Sequence, residues 1–412
     1  MQPLPGFRDF LPEPLPFSDS WSADLRRHIF ESWRTTARRY GFREYDGPPL
    51  EPLELFTLKS GEEIVRQLFN FTDKGDREVA MRPEMTPTLA RLVSTVERHY
   101  RKPIKWFAIP QLFRYEKHQK GRLREHFQFN ADLFGESDPA ADAELIALLV
   151  DSLRGLGLSS EDFVLRLSSR RAWQDFQERL GVEPSRAYDF YQVVDKLDRE
   201  KEEVTDAKLM SFGTSLDAVR QFIAAAEPTQ ELQRVLDDLA ARGLSEFVKI
   251  DYGIIRGLAY YTGVVFEAFD RKGEFRAIAG GGRYDQLVKL VSGGKVDLPG
   301  LGFGMGDVVL TELLKARGLV PALGGAIDDF VIIEDETLRR EALSVIQRLR
   351  SGGRRVEFPL TAMKGDKQFK RALELGAART VRVERGPEGA TVLKLRDLAT
   401  RVDQVIAPDA LS

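Results

Sequence analysis

The chain has 412 residues, 42% hydrophobic and 30% charged, enough for two or three domains with ample core. A formal net charge of −3 excludes a wholesale nucleic-acid coat, although 61 Lys and Arg can still cluster locally. No cysteine is present, which excludes disulfides, thiolate metal sites and a cysteine nucleophile, and four histidines argue against a multi-histidine metal centre.

The N-terminal "MQPLPGFRDFLPEP" lacks the basic start and apolar core of a signal peptide. No apolar run approaches the ~20 residues needed to cross a bilayer. A cytoplasmic protein without a membrane segment is expected. "SDSWSADLRRHIFESWRTTARRYG" predicts a helix over residues 18–40, with Ser18 or Ser20 as cap and Gly41 as stop. "FREYDGPPLEP" reads as a strand cut off by Pro48 and Pro49, and "LFNFTDKGDREVAMRP" as a hairpin turning at Asp73 to Asp76. A helix over residues 87–99 then starts at Pro87.

"FRYEKHQKGRLREHFQFNADLFGE", residues 113–136, reads as two alternating arms joined by a cation-rich turn, and a helix follows over about 139–155. From about 171 to 246 the chain is helical and highly charged, like an inserted all-helical segment. Strands return at "EFVKIDYG" and "VVFEAFD". The Gly-rich "AIAGGGRYDQL" leads to "PGLGFGMGDVVLTELL", a strand-to-helix passage. After Pro321, "ALGGAID" reads as a linker. Beyond it strands "FVIIED", "RRVEFPL" and "RTVRVE" alternate with helices "LRREALSVIQRLRSGG" and "KQFKRALELGA". Leu338, Ala342, Val345, Ile346 and Leu349 fall at helical spacing. This alternation predicts a small α/β domain with a largely parallel sheet.

The hairpin carries the most chemistry. A run such as Lys117, His118, Lys120, Arg122 and Arg124 is by itself compatible with a solvated tip. Its arms point further. Arg114 and Glu116 share one strand face, and so do Gln128, Asn130 and Asp132. An arginine beside acceptors, at the root of a cationic loop, suits a polyphosphate. In "MRPEMTPTLARL", Glu84 and Thr86 read either as a helix cap or as a hold on a ligand ammonium, with backbone amides near an anion. "IIRGLAYYTGVVFE" sets Arg256 where a core strand needs no arginine, and Tyr260 and Tyr261 where they can bracket a planar side chain. "GGGRYD" lacks the spacing of a dinucleotide fingerprint, and there is no Walker A sequence.

These segments together resemble the histidyl-tRNA synthetase family of class II aminoacyl-tRNA synthetases. "GFRDFLPEP" resembles its N-terminal signature, and "YGFREYDGPPLEPLELF" resembles motif 1, with Pro48 at the motif's proline. The hairpin is similar to motif 2, "RGLAYYTG" and "GGGRYD" to the two histidine-specific segments, and "GLGFGMG" to the start of motif 3. The likeness runs nearly end to end, with these six segments in the family's order.

The resemblance implies an α+β fold, with a class II antiparallel sheet, flanking helices, a helical insertion and a C-terminal α/β anticodon-binding domain. It implies a catalytic domain in two parts, residues 1–170 and 247–325, interrupted by the insertion at 171–246 and followed by the anticodon-binding-like domain at 328–412. It further implies a homodimer formed through motif 1, with L-histidine, ATP and tRNA(His) as partners, and Mg2+ accompanying the ATP. Histidyl-adenylate would form first, and histidine would then pass to the tRNA 3′ end. Arg114 matches the arginine that holds the α-phosphate, and Arg256 the one that stabilises charge there, making these two the catalytic pair. Glu116 matches the residue near the adenine amino group, and Arg122 one that reaches the outer phosphates. Glu84, Thr86, Gln128, Asp132, Tyr260, Tyr261 and Tyr284 match positions around histidine. No resident metal site is implied.

Three departures from the family pattern fall on four positions. Val308 and Val309 stand where motif 3 carries a glutamate and an arginine, so the γ-phosphate contact is expected from Arg122 or Lys120. Asp132 replaces a usual glutamate. His126 occupies the place of an adenine-stacking phenylalanine, and Phe127 beside it is assigned to ATP. Such departures suit a divergent ligase or a non-catalytic relative, the regulatory subunit of ATP phosphoribosyltransferase, which senses histidine. A third reading is another ligase on the same fold. The phosphate-facing arginines and the last domain favour the histidine ligase.

Overall fold

The computed structural model describes residues 3–58, 67–115, 123–197, 200–254, 261–324, 327–386 and 389–410. They form two compact units, one from residues 1–11 and 17–321, the other from residues 12–16 and 322–412.

The larger unit is built on a nine-stranded sheet. Eight of its strands, in chain order, are β1 (Arg43–Glu44), β2 (Ile104–Ala108), β3 (Glu125–Phe134), β4 (Phe163–Ser169), β5 (Val248–Ile250), β6 (Val264–Asp270), β7 (Ala279–Arg283) and β8 (Gly300–Gly306). They lie in the order β5-β4-β6-β7-β8-β3-β2-β1, and Gln111–Phe113 adds a ninth by pairing with the start of β3. The interior pairs are antiparallel; only β4–β5 and β1–β2 run parallel. The fold is therefore α+β, with the antiparallel sheet that the sequence implies.

The first helix spans Ala23–Arg39 and buries Leu25, Ile29, Trp33 and Ala37, four residues apart at each step. It starts later than residue 18. Trp21–Ser22 pairs with Phe10–Leu11 and keeps the chain extended, so Ser22, not Ser18 or Ser20, is the cap. Its hydroxyl accepts from the Leu25 amide at 3.1 Å. At the other end Gly41 takes a φ of +77°, which suits glycine and stops the helix as expected. Trp33 stacks on Phe129 of β3 with ring centroids 5.5 Å apart, a contact worth ~0.5–1.5 kcal/mol beyond its buried area. This contact fixes the phase of β3. Phe127, Phe129 and Leu133 face the helix, while His126, Gln128, Asn130 and Asp132 face the other way.

The hairpin after residue 68 forms from Asn70–Thr72 and Glu78–Met81, joined to Leu50–Pro52 in a three-stranded antiparallel sheet. The next helix runs Thr86–Val96 and closes with a 3-10 turn at Glu97–His99. Helices Arg170–Arg179, Ala187–Val194, Glu202–Met210, Leu216–Ala225 and Gln230–Ala241 occupy the charged central stretch. They pack around Trp173, Phe176, Phe190 and Phe222. Among the described residues no helix is long and apolar enough to cross a membrane.

In the smaller unit the sheet order is Val356–Glu357, Asp329–Ile332, Arg379–Arg385, Thr391–Asp397, Asp403–Ile406. Leu338, Ala342, Val345, Ile346 and Leu349 are all buried in its core. The sheet is mixed rather than largely parallel. The first two pairings are parallel and the last two antiparallel. The final two strands follow as a meander without a crossover helix, and the short loops between them allow only antiparallel pairing.

Candidate active site

Two glycine-rich strands form the floor of the site. On β8, Gly300, Gly302, Gly304 and Gly306 alternate with the buried Leu301, Phe303 and Met305. Gly302 lies opposite Asp132, Gly304 opposite Asn130 and Gly306 opposite Gln128. On β7, Gly280 and Gly282 lie opposite Gly304 and Gly302. Cross-strand partners share a face, so one sheet face is bare backbone bordered by polar side chains.

The glycines are sterically required. A Cβ on Gly304 would stand 2.6 Å from the Gln128 amide carbon, and one on Gly282 would stand 2.9 Å from the Tyr261 ring. Tyr261 packs with Leu89, Phe134 and Tyr284 in one apolar cluster. The Tyr284 hydroxyl donates to the Asp132 carboxylate, and both are buried. Gln128, Asp132, Tyr261 and Tyr284 are thus gathered around one patch of glycine backbone. Tyr45 joins the same cluster, and its buried hydroxyl has no hydrogen-bond partner among the described residues.

Asp132 is electrostatically unusual. Burial pushes its carboxyl up to about 7, against the pull of the Tyr284 hydrogen bond. The unfolded value is near 3.8, so between about pH 4 and 7 the folded chain holds the extra proton. The stability this group confers in acid is lost as pH rises through that window. Asp132→Asn should accordingly flatten the decline of Tm from pH 4 to 7, measured without ligands. An unchanged slope would show that Asp132 is not the group titrating.

Beside this patch a cavity of about 220 Å³ opens along the face. Arg114, His126, Gln128, Gly280 and Gly304 line it, as do Val308 and Val309 from the first turn of the helix Asp307–Ala316. Arg114 lies just past the end of its strand at Phe113, not on it. Its Nε donates to the Pro83 carbonyl at 3.0 Å, tying the cavity to the residue before Glu84. His126 is held neutral. Burial, then the Arg114 and Arg8 charges, lower its pKa to about 3.

Glu84 and Thr86 open the helix Thr86–Val96, whose cap position is Met85 with no side-chain cap bond. Phe127 does not line the cavity. It sits on the opposite sheet face, edge-on to Phe30 at 5.2 Å and Phe10 at 6.0 Å, because the strand phase is set by Phe129 on Trp33. His126 faces the cavity in its stead. Glu116, Lys120, Arg122, Arg256 and Tyr260 lie outside the described residues.

Sequence reasoning missed the buried brace of the site. Arg8 Nε donates to Glu125 Oε1 at 2.6 Å, and Arg8 Nη1 to Asp307 Oδ2 at 2.9 Å. All three side chains are buried. Gln111 also donates to Glu125 at 3.0 Å, and Asp307 accepts from the Phe127 amide at 2.9 Å. One guanidinium thus clamps the start of β3 to the start of the helix bearing Val308 and Val309. Burial alone would lower the Arg8 pKa, and its two carboxylates more than offset that. Arg283 of "GGGRYD" is likewise structural, paired with buried Asp142. Arg276 was missed as well; it borders the cavity from the connection between β6 and β7.

The histidyl-tRNA synthetase family model matches residues 6–306. A histidine–tRNA ligase of Opitutus terrae is 46% identical over 426 residues, covering 98% of this chain and 95% of that protein. A solved histidyl-tRNA synthetase from Nostoc sp. PCC 7120 superposes with a TM-score of 0.75 at 21% identity, over 93% of this chain and 94% of its own. A Bacillus halodurans structure described as an ATP phosphoribosyltransferase regulatory subunit/histidyl-tRNA synthetase reaches 0.71 at 23% identity, over 90% and 96%. Fold alone does not separate a ligase from a regulatory relative.

Proposed function

The chain belongs to the histidyl-tRNA synthetase family and joins histidine to tRNA(His) using ATP, and from that premise we propose how its residues divide the reaction. Histidine lies over the glycine floor with its imidazole toward Asp132. A carboxyl near 7 beside an imidazole of ordinary pKa ~6.5 can share one proton with it. Tyr284 and Tyr261 frame the ring, with Tyr260 as the second bracket. Gln128, Glu84 and Thr86 hold the amino end.

ATP enters the cavity lined by Arg114. An oxygen of the histidine carboxylate attacks the α-phosphorus, the bond to the bridging oxygen breaks, and pyrophosphate leaves. Negative charge gathers on the α-phosphoryl oxygens, and Arg114 and Arg256 are the guanidiniums that meet it. Arg122 meets the outer phosphates and Glu116 the adenine. His126, neutral and facing the cavity, is the better partner for the base than Phe127. A terminal hydroxyl of the tRNA then attacks the activated carbonyl and AMP departs.

Mg2+ would travel with the ATP and neutralise phosphate charge. Glu267, buried on the same sheet face opposite Gly280, suits an ion that needs one carboxylate and keeps its phosphate and water ligands. The domain boundaries at 171, 247 and 328 stand as our division of the chain, with the last segment reading the anticodon arm. Homodimerisation through motif 1 is supported by Leu50 and Phe71, 40% and 49% exposed on the three-stranded sheet. A cytoplasmic site of action suits an enzyme of protein synthesis.

The observation that carries the reading is the convergence of Gln128, Asp132, Tyr261 and Tyr284 beside the Arg114 cavity. Ligase relatives at this identity favour ligation over histidine sensing. The test is histidine-dependent exchange of pyrophosphate into ATP. Exchange with histidine alone among the amino acids is expected; histidine binding without any exchange would hand the assignment to the regulatory reading.

A further inference from the structure

The cavity beside the glycine floor has a second guanidinium that the proposed reaction has not used. The segment Arg276, Ala277, Ile278, Ala279 and Gly280 lines it, as do Val308 and Val309. The described lining holds Arg114 and Arg276 and no carboxylate. His126 adds no charge, because its imidazole is neutral. The helix that starts at Asp307 points its first turn into the same space, and its cap, Gly306, offers no side-chain acceptor to the first-turn amides. Two cations and a positive helix end on one lining, with no carboxylate among the described lining residues, suit an extended anion longer than one phosphate.

We propose that Arg276 grips the outer phosphates of ATP, supplying from the β6–β7 connection the charge that Val309 does not supply from the helix. Arg114 holds the α-phosphate at one end of the groove and Arg276 the β,γ end. The Ile278 amide donates to the Ala268 carbonyl at 2.8 Å, which anchors the connection to β6 two residues from the arginine. The arginine itself is exposed where it borders the cavity, within reach of solvent-borne phosphate. The proposal rests on the ATP-binding reading above and deepens it.

Arg276→Ala should raise the KM for ATP in pyrophosphate exchange roughly tenfold or more, the scale of a hydrogen bond to a charged group. The KM for histidine should stay within a factor of two or so. AMP has no outer phosphates, so its affinity for the variant should equal that for the wild type, measured by calorimetry. Arg276→Lys should recover part of the loss. The double variant Arg276→Ala with Val309→Arg should recover more, because a cation returns to the same cavity lining. An unchanged ATP affinity in Arg276→Ala, or an equal loss for ATP and AMP, would overturn the assignment. ATP and AMP binding decide it even if the wild type shows no exchange, so failure here and failure of the ligase reading are distinguishable.

Discussion

Gly302→Ala is expected to abolish most histidine activation while leaving the fold and ATP binding intact. A Cβ at that position would stand 1.9 Å from Asp132 Oδ1, 2.7 Å from its Cγ and 2.9 Å from the Tyr284 hydroxyl. The carboxylate has little room to retreat, since it is buried and held by Tyr284. The methyl group must therefore break that hydrogen bond and fill the space assigned to the imidazole. Overpacking of this kind costs about 1–3 kcal/mol of stability, before the lost bond is added. The loss should appear as a higher KM for histidine with an unchanged KM for ATP. Gly281→Ala is the contrast: its Cβ would meet the Gly302 carbonyl oxygen at 2.2 Å. Backbone cannot swing aside, so that variant should fail to fold. A Gly302→Ala enzyme with normal histidine KM would refute the site.

Arg8→Met should be among the most destabilising single changes in the larger unit. It would leave Glu125 and Asp307 buried with no cation between them, and breaking a buried pair in this way costs about 3–5 kcal/mol. Asp307 already titrates above the usual carboxylate range, because burial outweighs Arg8. Without Arg8 the Asp307 carboxyl would be raised further. A raised folded-state pKa gives stability that is present in acid and lost as pH rises. The deficit of Arg8→Met, read as ΔTm against the wild type, should therefore shrink as pH falls from 8 to 5. Adding Glu125→Gln and Asp307→Asn should restore part of it at pH 8. A pH-independent deficit would mean that lost packing on Phe10 and Trp21, whose rings lie 4.9 and 4.5 Å from the guanidinium carbon, dominates instead.

Much of this site could be read from the chain because its strands keep a period of two. Gln128, Asn130 and Asp132 had to share a face, and a strand of alternating glycines had to leave one face bare. The same alternation argued against Phe127: Phe127 and Phe129 are in phase with each other and out of phase with Gln128. Family likeness drew the aromatic to the nucleotide, and the packing of Phe129 on Trp33 decided otherwise. Arg8 was illegible for a different reason. Its partners lie 117 and 299 positions away, and no local pattern encodes a pairing at that range. Arg276 sits in a strand connection, where side-chain direction is set by how the neighbouring strand and helix close around it. The last two strands of the smaller unit were readable in principle, since "TVLKLRD" alternates, with Leu393 and Leu395 turned inward.

The Arg8 brace also orders events on the ribosome. Arg8 is among the first residues made, and its second carboxylate arrives 299 residues later. At ~5–20 residues per second that delay is roughly 15–60 s. Once Glu125 is made, 117 residues after Arg8, the nascent chain can join the two but cannot yet close the clamp on Asp307. A chain released after the strand Glu125–Phe134 but before the glycine strand and its following helix would carry Arg8 and Glu125 without Asp307. Half-made copies should thus hold Glu125 by a single-sided pair, and only finished molecules would have the brace closed on both carboxylates.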